Sequence, residues 1–333
     1  MAQPAGAQSA PSGLRTDVVL SEYSTLSSAA ELVRRLSSPL SAVRIEQAAE
    51  QAGRTLHGQA IDLTRERYSV YVPEHPHSAS GAYSLLVFIP PGARPEVPRH
   101  WIPALNRYNT ILVLAANSGN EAPTTDRREP LALLAMHNIT AQYPVDPHQV
   151  YIGGFSGGAR VALRLALGYP DVFRGVLLNA GSDSIGSADV PLPPADLFRR
   201  FQEDTRLVYL TGERDEENLA RDVHSRRSLD KWCVYDVVTL SELRAAHELA
   251  DTASFGRALQ ELSGQRHSNP GKLEGCRTRI DQELKARMGQ VENALARGDT
   301  NDARRVLSEI DAQYGGLAAP RSVELAGHSI PSN

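Results

Sequence analysis

Five consecutive residues, Gly154-Phe155-Ser156-Gly157-Gly158, set a serine between small neighbours in the pattern G-x-S-x-G. A hydroxyl is a poor nucleophile until a base withdraws its proton, so the serine has chemical meaning only with an imidazole and a carboxylate to orient it. QVYIGGF before Ser156 reads as a buried strand, and GARVALRLALG after it reads as a helix. A serine on such a strand-to-helix turn sits at a strained backbone position, where bulky flanking residues would collide. The helix that begins there aims its free N–H groups and positive end at any oxyanion formed beside the hydroxyl. The Gly157 N–H is the first donor expected. A glycine-rich connection without catalysis is the plain alternative.

A carboxylate and a histidine must follow the serine in chain order. LVYLT reads as a later strand, and Gly212-Glu213-Arg214-Asp215 follows it, which puts Asp215 one tight turn beyond the strand end. Glu213, Glu216 and Glu217 compete with it, and any of the four would also serve as a helix cap. Of ten histidines, His247 lies where a base is needed, after the last strand-like run and before the helical pattern ELADTASFGRALQEL. His224 falls inside the helix after the acid, His267 in a polar stretch and His328 near the C-terminus.

The elements that position these groups follow from hydrophobic period. Ser84–Ile89 and Thr110–Ala116 are continuous β-branched and aliphatic runs, as strands covered on both faces are. Gln149–Phe155, Gly175–Leu178 and Leu207–Thr211 are of the same kind, Arg67–Pro73 alternates as a half-buried strand does, and Trp232–Val238 is a last candidate. Helical patterns at Leu131–Gln142, Ala159–Gly168, Glu216–Arg227 and Ala245–Leu262 lie between them. Strands alternating with helices imply an α/β fold, a mostly parallel sheet with helices on both faces. Ahead of it, Ser24–Ala52 is helical with a break at Ser38-Pro39 and Ser41 as a cap; behind it, Gly264–Gly275 reads as a linker. Arg277–Arg297 and Asn301–Tyr314 then form a helical hairpin. The expected organisation is a tail over 1–13, a helical extension over 14–56, the core domain over 57–263, and linker plus hairpin over 264–333.

The pieces YSVYVP, LLVFIPPG, VDPHQVYIGGFSGGARVALRLALGYPDVFRGVLLNAG, LVYLTGERD and AAHELADTASFGRAL resemble the secreted esterases of the polyhydroxybutyrate-depolymerase and feruloyl-esterase type. The resemblance runs from Tyr68 to about Leu262. It implies the α/β-hydrolase fold, a Ser156–Asp215–His247 triad and hydrolysis of carboxylic esters without a cofactor. Such relatives place a His-Gly pair after the corresponding strand, where a backbone N–H completes the oxyanion hole. Here Ile89-Pro90-Pro91-Gly92-Ala93 stands instead. Proline has no N–H, which leaves Gly92 or Ala93 as the second donor. Losing a donor costs about a hundredfold or more in rate.

Asn117-Ser118-Gly119-Asn120 forms a turn at the carboxyl end of a strand, the edge where open α/β sheets bind ligands. Asn117 is therefore a substrate-side candidate, with Phe155 beside the serine. Ser182–Leu197, rich in proline, reads as a lid or a surface loop. Trp101 and Trp232 read as core or pocket wall. The 35 basic and 39 acidic side chains balance to a net charge of −4, with no concentrated basic surface for nucleic acid. No run is long enough to span a bilayer. Neither a Cys/His cluster at metal-ligand spacing nor a phosphate loop occurs. Met1–Gly13 lacks a signal peptide's regions, yet its Ala- and Pro-containing composition suits a trimmed exported chain, so a secreted or periplasmic site is expected. Cys233 and Cys276 are either two buried thiols or one disulfide tying the hairpin to the core.

An ester substrate is the partner this implies. Two alternatives stay open: a peptidase of prolyl-oligopeptidase type, and a catalytically silent hydrolase-fold protein that docks a partner on its C-terminal hairpin. An apolar hairpin face left over after packing would favour the last.

Overall fold

The computed structural model describes residues 11–74, 81–265 and 269–328. Eight strands form one sheet: β1 (Gly13–Val18), β2 (Tyr68–Val72), β3 (Tyr83–Ile89), β4 (Thr110–Ala115), β5 (Val145–Phe155), β6 (Gly175–Asn179), β7 (Arg206–Gly212) and β8 (Val237–Glu242). Their order is β1-β2-β4-β3-β5-β6-β7-β8. β2 runs antiparallel to both neighbours, and β4 onward are parallel.

Period-two side-chain alternation splits these strands between two cores. Leu85, Val87, Ile89, Ile111, Val113, Ile152, Val176 and Leu178 face one layer. Leu86, Phe88, Leu112, Leu114, Tyr151, Leu177, Val208 and Leu210 face the other. Because both faces are covered, the strands read as unbroken apolar runs. The same holds for β2, whose five residues are all buried; its polar–apolar alternation did not signal a half-buried strand.

The helices are α1 (Ala29–Leu36), α2 (Pro39–Gln51), α3 (Ile102–Arg107), α4 (Glu129–Gln142), α5 (Gly157–Gly168), α6 (Ala195–Asp204), α7 (Glu216–Lys231), α8 (Thr252–Ser263), α9 (Pro270–Ala296), α10 (Thr300–Tyr314) and α11 (Arg321–His328). The second core is closed by α3 and α8, through Ala104, Leu105, Phe255, Ala258 and Leu259. There Trp101 stacks on Phe255 at 3.8 Å between ring centroids. The first core takes α1, α4, α5 and the C-terminal helices.

Several expectations need correction. Residues 14–56 are not purely helical: β1 adds an edge strand to the sheet, and its GLRTDV is too polar and exposed to show an apolar period. Ser41 does not cap α2. Ser38 precedes it, and the helix's orphan Leu40 N–H donates instead to Asp311 Oδ1 of α10 at 2.9 Å. The last strand lies at Val237–Glu242, because Trp232–Val234 ends α7 in a turn. The expected linker over 264–275 is helical from Pro270, where proline occupies the first turn of α9; residues 266–268, His267 among them, lie outside the described residues, as do 1–10 of the expected tail.

Ser182–Leu197 is no lid. Ile185, Val190 and Leu192 are buried, and α6 begins at Ala195. Ser182 Oγ donates to Asp222 Oδ1 at 2.6 Å, Ile185 N–H to Ser228 Oγ at 3.0 Å, and Gly316 N–H to Leu192 O at 2.7 Å. The hairpin's apolar face is likewise consumed: Ile280, Met288, Val291, Ala294, Val306, Leu307, Ile310 and Tyr314 all join the first core. Large exposed apolar side chains among the described residues are confined to positions 14–45, 223 and 243, none of them in the hairpin.

Cys233, fully buried after α7, is disulfide-bonded to Cys276 of α9, 43 residues away. Closing a loop of that length stabilises by about 4 kcal/mol in the chain-entropy account. Cys233→Ser with Cys276→Ser is expected to lower the thermal unfolding midpoint by several degrees, and reductant is expected to shift the native chain equally. An unchanged midpoint would mean that packing alone holds the hairpin.

Candidate active site

Ser156 occupies the single residue between β5 and α5, at φ 56° and ψ −122°. A non-glycine residue there is strained, so the surrounding contacts must hold it. Ser156 N–H donates to Asn179 O at 2.9 Å, and the neighbouring glycines permit the crowding. A Cβ on Gly154 would stand 2.3 Å from Gly158 C, one on Gly158 2.0 Å from Ile89 O, and one on Gly181 2.2 Å from Ser156 O. The helix can start at the sheet edge only because these positions carry no side chain.

Asp215 follows β7 and both caps α7 and meets His247, so the two roles expected of it are not exclusive. Its Oδ1 accepts from Asn218 N–H at 3.3 Å, while Asn218 Nδ2 reaches Oδ1 and Oδ2 at 2.9 and 3.0 Å. Burial pushes the Asp215 carboxyl up, but hydrogen bonds from His247 and Asn218 outweigh it and hold it below the ordinary aspartate value. Glu213 is occupied elsewhere, accepting from Arg244 N–H at 3.0 Å, and Glu217 pairs with Arg221 at 3.0 Å. Glu216 lies in the first turn of α7.

His247 sits in the loop between β8 and α8, with Nδ1 2.7 Å from Asp215 Oδ2 and Nε2 3.0 Å from Ser156 Oγ. With Nδ1–H donated to the carboxylate, Nε2 is the acceptor for the serine proton. The loop is pinned through Ala250. Its N–H donates to Asn179 Oδ1 at 3.1 Å, and its carbonyl accepts from Trp101 Nε1 at 2.8 Å. Asn179 thus holds the Ser156 backbone with one oxygen and the His247 loop with another. His224 is exposed on α7 and His328 lies in α11, each remote in sequence from this loop.

Phe155 stacks on the His247 ring, 4.9 Å between centroids. Gly157 is the first residue of α5, so its N–H has no intrahelical acceptor. Gly92 and Ala93 are exposed in the loop after β3. That loop packs on the Asn117–Asn120 turn. Asn117 N–H donates to Ala93 O at 2.6 Å and Asn120 N–H to Pro91 O at 2.9 Å, while a Cβ on Gly119 would lie 2.5 Å from Gly92 C. Asn117 itself is exposed at φ 51°. Among the described residues no group of His, Cys, Asp and Glu could hold a metal ion, and no helix is long and apolar enough to cross a membrane.

Sequence reading missed Asn218 and Asn179, and placed Asn120 only as part of a turn at the ligand edge. Asn218 carried one signal, its position three residues after a cap acid, and Asn179 another, a polar residue closing the apolar run GVLLN.

The sheet order, the strand-to-helix serine and the later Asp and His loops together have the arrangement of the α/β-hydrolase fold. Within that class, residues 120–215 match the family model described as esterase PHB depolymerase, which bears out the expected resemblance over that stretch. A protein named as an esterase, NocK, of Nocardia uniformis subsp. tsuyamanensis is 38% identical over 85 residues, 24% of this chain and 23% of that protein. Poly(3-hydroxybutyrate) depolymerase of Ralstonia pickettii is 44% identical over 96 residues, 25% of this chain and 20% of its own length. The chain therefore spans about a quarter or less of the curated relatives it matches. Among solved structures, S-formylglutathione hydrolase of Staphylococcus aureus aligns at 11% identity and TM-score 0.45, covering 60% of this chain and 93% of that one.

Two glycines give contrasting tests of the turn. Gly158→Ala is expected to cost about 3 kcal/mol or more, because the clash is with backbone. Gly92→Ala, whose Cβ meets nothing within 4 Å, is expected to leave the unfolding midpoint unchanged. Equal midpoints for both variants would show that the turn relaxes freely.

Proposed function

We propose that this chain is a serine esterase that cleaves carboxylic esters through an acyl-enzyme on Ser156. The observation that carries the reading is the unbroken pair of contacts Ser156 Oγ–His247 Nε2, 3.0 Å, and His247 Nδ1–Asp215 Oδ2, 2.7 Å. In the first half-reaction Ser156 Oγ attacks the ester carbonyl while His247 Nε2 takes its proton. The imidazolium then protonates the departing alcohol as the C–O bond breaks. Water repeats the sequence, giving its proton to His247 and freeing the acid. Asp215, kept ionised by its hydrogen bonds, holds the tautomer and stabilises the imidazolium.

Gly157 N–H receives the developing oxyanion, with the backbone N–H of Gly92 or Ala93 as the second donor from the loop after β3. Phe155 and Asn117 flank the acyl group. The His247 side chain is 44% exposed, so the ester is approached from open solvent. The Cys233–Cys276 disulfide supports work in an oxidising compartment, outside the cytoplasm.

Labelling with a fluorophosphonate probe tests the reading. Native protein is expected to label, and Ser156→Ala and His247→Ala are expected to abolish it. Asp215→Asn is expected to lower kcat on p-nitrophenyl acetate by on the order of 10³–10⁴-fold, through loss of the oriented tautomer. Folded native protein that fails to label would overturn the catalytic reading.

A further inference from the structure

Pro90 and Pro91 remove two backbone N–H groups from the loop that faces the oxyanion. Their place beside Gly157 is taken by a side chain. A methyl group built on Gly157 would stand 2.3 Å from Asn120 Oδ1 and 3.2 Å from Asn120 Nδ2, so the Asn120 amide lies against the very residue whose N–H opens the hole. Residue 157 has no side chain, and Asn120 fills the space one would need.

Asn120 is exposed, and it is held by its backbone, by the neighbouring Gly119 and by one hydrogen bond to its amide oxygen. Its own backbone N–H donates to Pro91 O at 2.9 Å, which fixes Asn120 between the proline loop and the start of α5. Gly119 lets the two loops touch, since any Cβ there would strike Gly92. Arg128 sets which way the amide turns. It is 4% exposed and ends the π-helical turn Thr124–Arg128; its Nε donates to Ser118 O at 2.9 Å and its Nη2 to Asn120 Oδ1 at 3.3 Å. A guanidinium has donors only, so the amide atom turned to it must be the oxygen. The NH₂ group, 3.2 Å from the position of a Gly157 methyl, makes no hydrogen bond among the described residues.

We propose that Asn120 Nδ2–H is a further oxyanion donor, supplementing Gly157 N–H and positioned by Arg128. The inference rests on the esterase reading above. An amide donor of this kind is worth about 10²–10³ in kcat when it meets charge that develops only in the transition state. Arg128, donating to Oδ1, polarises the amide and strengthens its remaining N–H.

The experiment compares native protein, Asn120→Ala and Asn120→Asp on p-nitrophenyl acetate, with thermal unfolding and inhibition by a trifluoromethyl ketone measured alongside. Asn120→Asp keeps shape and a partner for Arg128 but removes the donor, which guards against a variant that merely fails to fold. Both variants are expected to lose about a hundredfold in kcat with KM within about threefold of native. Affinity for the ketone, whose serine adduct carries the oxyanion, is expected to fall in parallel, with an unfolding midpoint close to native. A kcat within threefold of native in either folded variant overturns the inference while leaving the esterase reading intact. So does a loss confined to KM or matched by a fall in unfolding midpoint. Native protein that neither labels with fluorophosphonate nor turns over ester removes the reading beneath it.

Discussion

A serine hydroxyl becomes accessible at the edge of a parallel sheet only if the chain reverses abruptly between strand and helix. Every close approach around Ser156 follows from that reversal. At φ 56° and ψ −122° the residue turns β5 straight into α5, which presses the first helical turn against Ile89 of β3 and Gly181 beyond β6. Three glycines are needed, at 154, 158 and 181, because three separate backbone segments converge on one residue. The strain costs about 1–3 kcal/mol in such sites and persists only where surroundings over-determine it. Here the surroundings are two buried apolar layers and the Asn179 carbonyl that takes the Ser156 N–H.

Rigid placement extends to the other two members through amides rather than charges. Asn179 spans from the serine backbone to the histidine loop, and Asn218 braces the carboxylate that faces His247. A neutral amide suits the second place, since another charge within hydrogen-bond reach would perturb the ionised Asp215. A second buried acid lies nearby. Asp222, pushed upward by burial, accepts from Ser182 and Thr211 at 2.6 and 2.7 Å and so ties the loop after β6 to the end of β7.

Much of this was legible because the strands are covered on both faces: runs such as SLLVFI and TILVLAA admit few other readings. That Ser156, Asp215 and His247 lie together was legible because their order and strand-end placement are what the proposed chemistry demands. Other features left weaker traces. β1 is a polar edge strand held by backbone pairing, which writes no period into the sequence. Ser182–Leu197 carries turn residues and prolines as a mobile loop would, yet it is fastened by hydrogen bonds to residues far along the chain. Asn179 left only a faint trace for a similar reason, since it acts on Ser156 and Ala250, both distant in sequence, whereas Asn218 lies three residues from the carboxylate it braces. The disulfide was open because geometry, not spacing, decides it.

The appended helices acquire a role from the same contacts. A hairpin meant to dock a partner would keep an apolar face in water, whereas α9 and α10 spend theirs on the first core. Asp311 carries this further: it accepts from Ser38 Oγ at 2.6 Å and from the orphan Leu40 N–H, so that α10 caps a helix near the start of the chain. Cys276 binds the same hairpin to the turn after α7, the helix whose N-terminus Asp215 caps through Asn218 N–H. Helices α2, α9 and α10 are thus tied to one another and to the core layer that backs the serine turn. A site of this kind needs support more than cover: its geometry depends on a strained residue, and strain is kept only by a scaffold that cannot yield.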